Sequence, residues 1–298
     1  MLNADTANAA AREPLLSRVP SPGLVLGAIG SVQFGAALAA TLFDQLGPAG
    51  AVTERLVAAA IVLMAIWRPR IRGRNRRDLL LVGLFGVILA GMNLTFYEAI
   101  NRIPLGLAVT FEMVGPLAVA VGGSRRPRDL IWVALAAAGI LALTNGQTQG
   151  LDGVGVAFAL AAGSLWGCYI LVNARVGRTF TGGSGLALAM VVASVAALPF
   201  GIVEAGGQLL AIHSLLIGGA VGMLSSAIPY TLEMEALRRI AAPVFGVLMS
   251  LEPAVAALAG FLVLDQGLGL RAVGGIALVV LASVGASRRQ RSPAPIQA

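Results

Sequence analysis

Two stretches decide the reading of this chain: PLGLAVTFEMVGPLAVAV at 104–121 and FGVLMSLEPAVAALAGFLVL at 245–264. Each is a long apolar run holding one carboxylate, Glu112 in the first and Glu252 in the second. A proline follows closely in both, Pro116 and Pro253. A run of this length crosses the ~30 Å hydrocarbon core of a bilayer as a helix. A carboxylate near its middle costs about 2.5–3.5 kcal/mol on insertion scales, so it faces protein or water and commonly serves function. Two of them on related segments predict a transport site.

The rest of the chain fits that setting. Of 298 residues, 57% are hydrophobic and 12% charged, about half the charged share of a soluble domain, and the mean hydropathy is +0.86. Ten apolar runs are predicted to span the membrane: about 22–43, 48–67, 79–99, 104–122, 130–145, 153–174, 184–203, 214–236, 243–264 and 269–287. They leave no room for a folded soluble domain, so the fold class is an all-α integral membrane protein. The polar start at 1–21 resembles a signal peptide, but the run at 22–43 is too long for a signal core and is taken as the first span.

All 21 basic residues are arginine and the net charge is +7. Their placement argues against a nucleic-acid surface. They cluster in alternate loops, at 68–77, 125–128, 175–178, 238–239 and 288–291, with Arg12 and Arg18 ahead of the first span. The opposite loops carry Asp44, Asp152, Glu204 and Asp265, with Arg102 and Arg271 as their basic residues. The positive-inside rule then predicts both termini in the cytoplasm. The surplus sets topology and meets anionic lipid headgroups. Cys168 and His213 are each unique, which excludes an intrachain disulfide and a Cys/His metal cluster. No cofactor is expected.

The chain also repeats itself. A shift of 137 residues places Glu98-Ala99 on Glu235-Ala236, Arg102-Ile103 on Arg239-Ile240, and Pro116 on Pro253. Glu112 lands on Met249, so Glu252 lies three residues further on, close to one helical turn. A shift of 133 places Gly30-Ser31 on Gly163-Ser164. Spans one to five thus align with six to ten, and five being odd, the second copy enters from the opposite side. Inverted repeats of this kind build secondary transporters that bind substrate at mid-membrane between the halves. The expected organisation is a cytoplasmic tail at 1–21, five-helix repeats at 22–145 and 146–287, and a second cytoplasmic tail at 288–298.

The stretch GMNLTFYEAINRIPLGLAVTFEMVGPLAVAVGGSRRPRDLIWVALAAAGILAL (91–143) closely resembles bacterial threonine/homoserine exporters, which belong to the EamA branch of the drug/metabolite transporter superfamily. LSSAIPYTLEMEALRRIAAPVFGVLMSLEPAVAALAGFLVL (224–264) is similar to the matching part of the same family. The resemblance implies a ten-helix 5+5 fold in the bacterial inner membrane. It also implies proton-driven export of small amino acids. One departure is visible: where the family commonly carries a glutamate just after span nine, this chain reads Asp265-Gln266.

Candidate site residues follow from depth and polarity. Glu112 and Glu252 can bind a substrate ammonium, carry a coupling proton, or lock helix packing. Pro116 and Pro253 remove a backbone donor and can free a carbonyl toward a cavity, or simply kink the helix. Glu233, four residues after Pro229, lies deep enough for a cavity. Glu98 and Glu235 sit near the membrane surfaces, where pairing with Arg102 and Arg239 is natural at i,i+4. Arg55 lies about 10 Å past Pro48 at helical rise and needs a partner, either a substrate carboxylate or another helix; the structural role is favoured. Asn93 and Tyr97 share a face of span three. Gln33, Trp166, Tyr169 and Tyr230 can supply polar and aromatic walls. A membrane enzyme would need a His pair, a Ser/Lys or Asp/Asp dyad or a metal cluster, and the spans offer none. Efflux of another amphipathic metabolite or drug is the competing transport reading.

Overall fold

The computed structural model describes residues 19–71, 73–113, 152–249 and 251–265, with short helical stretches inside 115–139 and 269–281. Among these residues there is no strand. In chain order the elements are α1 (Ser21–Ala40), α2 (Phe43–Trp67), α3 (Arg76–Ile100), α4 (Leu105–Glu112), α5 (Gly153–Thr179) and α6 (Ser184–Ala205). A 3₁₀ turn (Gly206–Leu210) then leads to α7 (Ile212–Gly222), a π turn (Met223–Ala227), α8 (Ile228–Arg239), α9 (Ala242–Met249) and α10 (Glu252–Leu264).

Six helical segments among the described residues are long and apolar enough to cross a membrane, the sixth running from Ile212 through the π turn to Arg239. With no water in the hydrocarbon region, each backbone donor and acceptor must be paired inside its own segment, which favours such uninterrupted helices. Several predicted boundaries move. The third span extends from 79–99 to Arg76–Ile100, because Asn75 accepts a hydrogen bond from the Arg77 amide at 3.2 Å and starts the helix early. The sixth runs past 174 to Thr179 and starts at an N-cap, Asp152 accepting from the Val154 amide at 2.9 Å. The ninth, expected as one helix over 243–264, is described as two helices, with Leu251 in a turn that puts Glu252 at the head of α10. The fifth and tenth spans are helical where described, at 131–139 and 270–281. The predicted tails and the arginines at 12, 18, 125–128 and 288–291 lie outside the described residues.

The second span starts earlier than Pro48 but breaks just before it. Gly47 takes φ of 66°, a left-handed conformation that glycine adopts without a Cβ penalty. The helix then restarts, and the Ala49 amide donates to Glu204 Oε2 of α6 at 2.6 Å, which satisfies one of the orphan donors of a helix start.

The helices pack in matched sets. α2 lies most extensively on α6; α3 packs on α5 and on α6, and α4 on α5 and α10. In the same way α8 packs on α1, α7 on α2, and α10 on α1. Large apolar side chains such as Ile61, Leu80, Val195 and Leu216 face outward, while Gln33, Arg55, Asn93, Glu112, Glu233 and Glu252 are buried. Lipid gives no hydrophobic gain for helix association, so close backbone approach matters more. At Gly222 a Cβ would stand 2.7 Å from the Ala58 methyl and 2.8 Å from the Arg55 carbonyl. That glycine lets α7 settle against α2.

Candidate functional site

The buried polar side chains converge on a cavity of about 40 Å³ at the centre of the bundle. It is lined by Gln33 from α1, Arg55 from α2, Asn93 and Phe96 from α3, Glu112 from α4, Trp166 from α5, Tyr230 and Glu233 from α8, and Glu252 from α10. A space of this size holds a few waters and is smaller than a free amino acid. Seven of the nine residues expected to bind substrate or protons line it: Glu112, Glu252, Glu233, Asn93, Gln33, Trp166 and Tyr230. Tyr97 and Tyr169 stand one step behind, each bonded to a lining residue.

Arg55 organises this centre. Its Nε donates to Ser226 Oγ at 2.7 Å, one Nη1 proton goes to Tyr97 OH at 3.0 Å, and Nη2 donates to the Ser225 carbonyl at 2.5 Å and Tyr230 OH at 3.1 Å. The guanidinium also lies 5.3 Å from the Tyr97 ring centroid and 5.9 Å from that of Tyr230, within cation–π range. The expectation of a partner on another helix holds, though the partners are hydroxyls and a carbonyl rather than a carboxylate. A guanidinium has five N–H donors, so one Nη1 proton has no acceptor among the described residues. Arg55 also lines the cavity, besides tying its helix to the neighbouring ones.

The Ser225 carbonyl is available to Arg55 for a reason written in the sequence. Pro229 stands four residues later and has no N–H to offer it. The π turn at Met223–Ala227 is the local consequence, a distortion often found at functional positions. Ser225 and Ser226 were not singled out from the sequence, and SSAIP was the available signal. The freed carbonyl ahead of Pro116 goes elsewhere. It belongs to Glu112 and faces α5, where a Cβ on Gly163 would meet it at 2.5 Å. Pro116 therefore seats α4 on α5. Pro253 is buried in the first turn of α10, where its missing donor costs nothing.

The remaining carboxylates are held unequally. Tyr169 OH donates to Glu233 Oε2 and accepts from Asn173 Nδ2 at 3.0 Å. Gln33 Nε2 donates to Glu252 Oε1 at 2.9 Å, while Glu252 Oε2 and Gln33 Oε1 are buried with no hydrogen-bond partner among the described residues. Tyr230 OH donates to Asn93 Oδ1 at 3.2 Å, and Asn93 Nδ2 turns back to the Leu89 carbonyl at 2.7 Å. Three carboxylates thus share one small space with one guanidinium. A buried charge needs a partner or gives up its ionisation, so this centre suits a cationic ligand group, protons, or both.

Polar contacts gather at both ends of the bundle. At the arginine-rich end, Arg238 donates to the carbonyls of Gly177 and Phe180 at 2.9 Å each and to that of Gly182, and Arg239 Nη1 reaches the Val19 carbonyl at 3.1 Å. At the other end, Arg102 pairs with Glu98 and stands 3.8 Å from Asp152 at the start of α5. Glu235 pairs with Arg239 at 2.5 Å and with Arg238 at 3.3 Å, so the pairing expected for Glu98 and Glu235 is present in both. No group of three or more His, Cys, Asp or Glu suited to a metal occurs among the described residues.

Residues 153–288 match the EamA-like transporter family. The chain is 40% identical over 267 residues to "Threonine/homoserine exporter RhtA" of Salmonella typhimurium, which covers 89% of this chain and 90% of that protein. It is 39% identical over 277 residues to the protein of the same description from Escherichia coli, covering 92% and 93%. A solved structure described only as "Crystal structure of protein" superposes with a TM-score of 0.69 at 18% identity, over 90% of this chain and 99% of that one, which is a likeness of fold.

Proposed function

This chain belongs to the EamA-like transporter family, and from that premise we propose that it exports threonine, homoserine and similar small amino acids across the bacterial inner membrane. The observation that carries the reading is the meeting of Arg55 with Glu112, Glu233 and Glu252 in one buried cavity. A zwitterionic amino acid presents one carboxylate and one ammonium. The spare Nη1 proton of Arg55 takes the carboxylate. The ammonium goes to Glu112 or Glu233, and the orphaned oxygens of Gln33 and Glu252 accept from the ammonium or the side-chain hydroxyl.

Transport is by alternating access and coupled to protons. A proton taken by one of the three carboxylates restores the balance with Arg55 when the substrate ammonium leaves. The ties at the two ends act as alternating gates: Arg238 and Arg239 close one side, Arg102 with Asp152 the other, and the small cavity corresponds to a form closed at both. The architecture is ten helices in two inverted five-helix repeats, with both termini cytoplasmic. Two features support it. The helix pairings come in matched sets, and cavity residues fall on one another under the internal shifts: Gln33 with Trp166 at 133, Asn93 with Tyr230 and Phe96 with Glu233 at 137.

The test is transport by the purified protein in proteoliposomes with a panel of amino acids and an imposed pH gradient. Threonine and homoserine should move, faster with the gradient than without. Movement of neither rejects the substrate, and movement indifferent to the gradient rejects the coupling. Glu112→Gln and Glu252→Gln should each slow transport while protein amount stays normal; full activity in both would assign these carboxylates to packing.

A further inference from the structure

A second cavity lies to the side of the central one, with the opposite character. It encloses about 500 Å³ between α2, α6, the 3₁₀ turn and α7, and its walls include Val57, Ile61, Leu198, Leu209 and Leu215. One carboxylate lines it, Glu54. That residue is only 7% exposed, and neither of its carboxylate oxygens has a hydrogen-bond partner among the described residues. Glu54 stands next to Arg55 in sequence, but a helix turns about 100° per residue, so Arg55 looks into the centre and Glu54 into the side pocket. Its carboxylate rests on the bare backbone of Gly218, where a Cβ would collide with it.

An ionised carboxylate unpaired among apolar walls is costly unless it takes up a proton or a cationic ligand meets it. We propose that this pocket binds a free amphiphilic monocation, an alkylammonium whose charged head pairs with Glu54 and whose chain lies along Val57, Leu198 and Leu215. Apolar walls with a single placed charge are what such a ligand requires. The pocket reaches the outer surface, where Ile61 is strongly exposed, so an amphiphile dissolved in the bilayer can enter from the side. A zwitterionic lipid headgroup fits less well. Among the described residues no basic side chain lines the pocket to receive a phosphate. The site is separate from the central cavity and does not depend on the amino-acid reading.

The experiment uses the full chain in nanodiscs of phosphatidylcholine and phosphatidylglycerol, with radiolabelled dodecyltrimethylammonium as probe and dodecanol as its uncharged counterpart. The wild type should bind the cation saturably at one site. Glu54→Gln should weaken that binding at least tenfold without changing dodecanol uptake. Leu215→Trp, which fills the pocket from a half-exposed wall position and keeps the carboxylate, should weaken it as well. Both variants should keep the wild-type elution profile on size exclusion and its helical circular-dichroism signal, which shows that they fold. Absence of saturable binding to the wild type, or equal binding by Glu54→Gln, overturns the proposal. If phosphatidylethanolamine in the nanodisc abolishes binding, the pocket belongs to a lipid headgroup and the assignment to a free amphiphile is wrong.

Discussion

Residues 93–102 at the end of α3 and residues 230–239 of α8 are 137 apart and share a plan, yet they carry different chemistry. Each closes on a Glu–Arg pair, Glu98 with Arg102 and Glu235 with Arg239. Each sends its first residue to the same point, where Tyr230 meets Asn93 at 3.2 Å. Between these matched ends the stretches diverge. Phe96 faces the cavity from one and Glu233 from the other. Ahead of them α3 runs unbroken, whereas α8 follows a π turn and carries Pro229. The shared features are those that hold the bundle together at its ends and its centre line. The unshared ones supply charge and free backbone acceptors. The two stretches have the Glu–Arg pair in common, and of the two it is 230–239 that brings a carboxylate to the cavity.

The largest effect should come from the residue that depends on that difference. Arg55 takes three of its four acceptors from the second stretch and the π turn ahead of it: Tyr230 from the stretch, Ser225 and Ser226 from the turn. Arg55→Met keeps the aliphatic stem and leaves three carboxylates without a guanidinium. Removing one member of a buried charged network costs about 3–5 kcal/mol. Threonine efflux from proteoliposomes should fall at least about a hundredfold on that scale. Efflux near wild type would mean that the shared frame alone suffices for transport.

Next in size is Glu233→Gln, expected to lower efflux about tenfold or more, the usual scale for a group that carries a proton. Phe96→Leu, at the matching position in α3, removes no charge and no hydrogen-bonding group and should change it less than Glu233→Gln does. Equal losses in the two variants would erase the asymmetry. Pro229→Ala tests its backbone origin. The restored N–H competes with Arg55 for the Ser225 carbonyl, and one hydrogen bond is worth about 1 kcal/mol. The apparent affinity for threonine should weaken about fivefold on that scale, with protein abundance unchanged.

How much of this was legible in the sequence depended on periodicity and depth. Long apolar runs give their own spans because length is a one-dimensional signal, and six such helices stand among the described residues. Glu112, Glu233 and Glu252 were legible because acids are scarce at mid-membrane depth. The role of Arg55 was harder to read: its facing depends on where Pro48 restarts the helix and on carbonyls freed 170 residues away. Ser225 and Ser226 were invisible as polar residues, since serine is common in such helices, and only the spacing from Ser225 to Pro229 carries the message. Glu54 carries no local signal of a pocket beside it, because a void is a property of packing that no local pattern encodes.

The smallest effects should lie where the two stretches agree. Glu98→Gln and Glu235→Gln each remove a partly exposed ion pair at a helix end, and such pairs contribute about 0.2–1 kcal/mol. Efflux should change less than about fivefold in both. The comparison still orders them. Glu98 holds Arg102 alone, whereas Glu235 also lies 3.3 Å from Arg238, and Arg238 binds the carbonyls of Gly177, Phe180 and Gly182 that tie α8 to the end of α5. Loosening Glu235 frees two arginines at one end of the bundle, while loosening Glu98 frees one at the other. Glu235→Gln should therefore raise hydrogen exchange at the amides around 177–182 more than Glu98→Gln raises it around 152–156, and the reverse order would place the stronger closure at the Arg102 end.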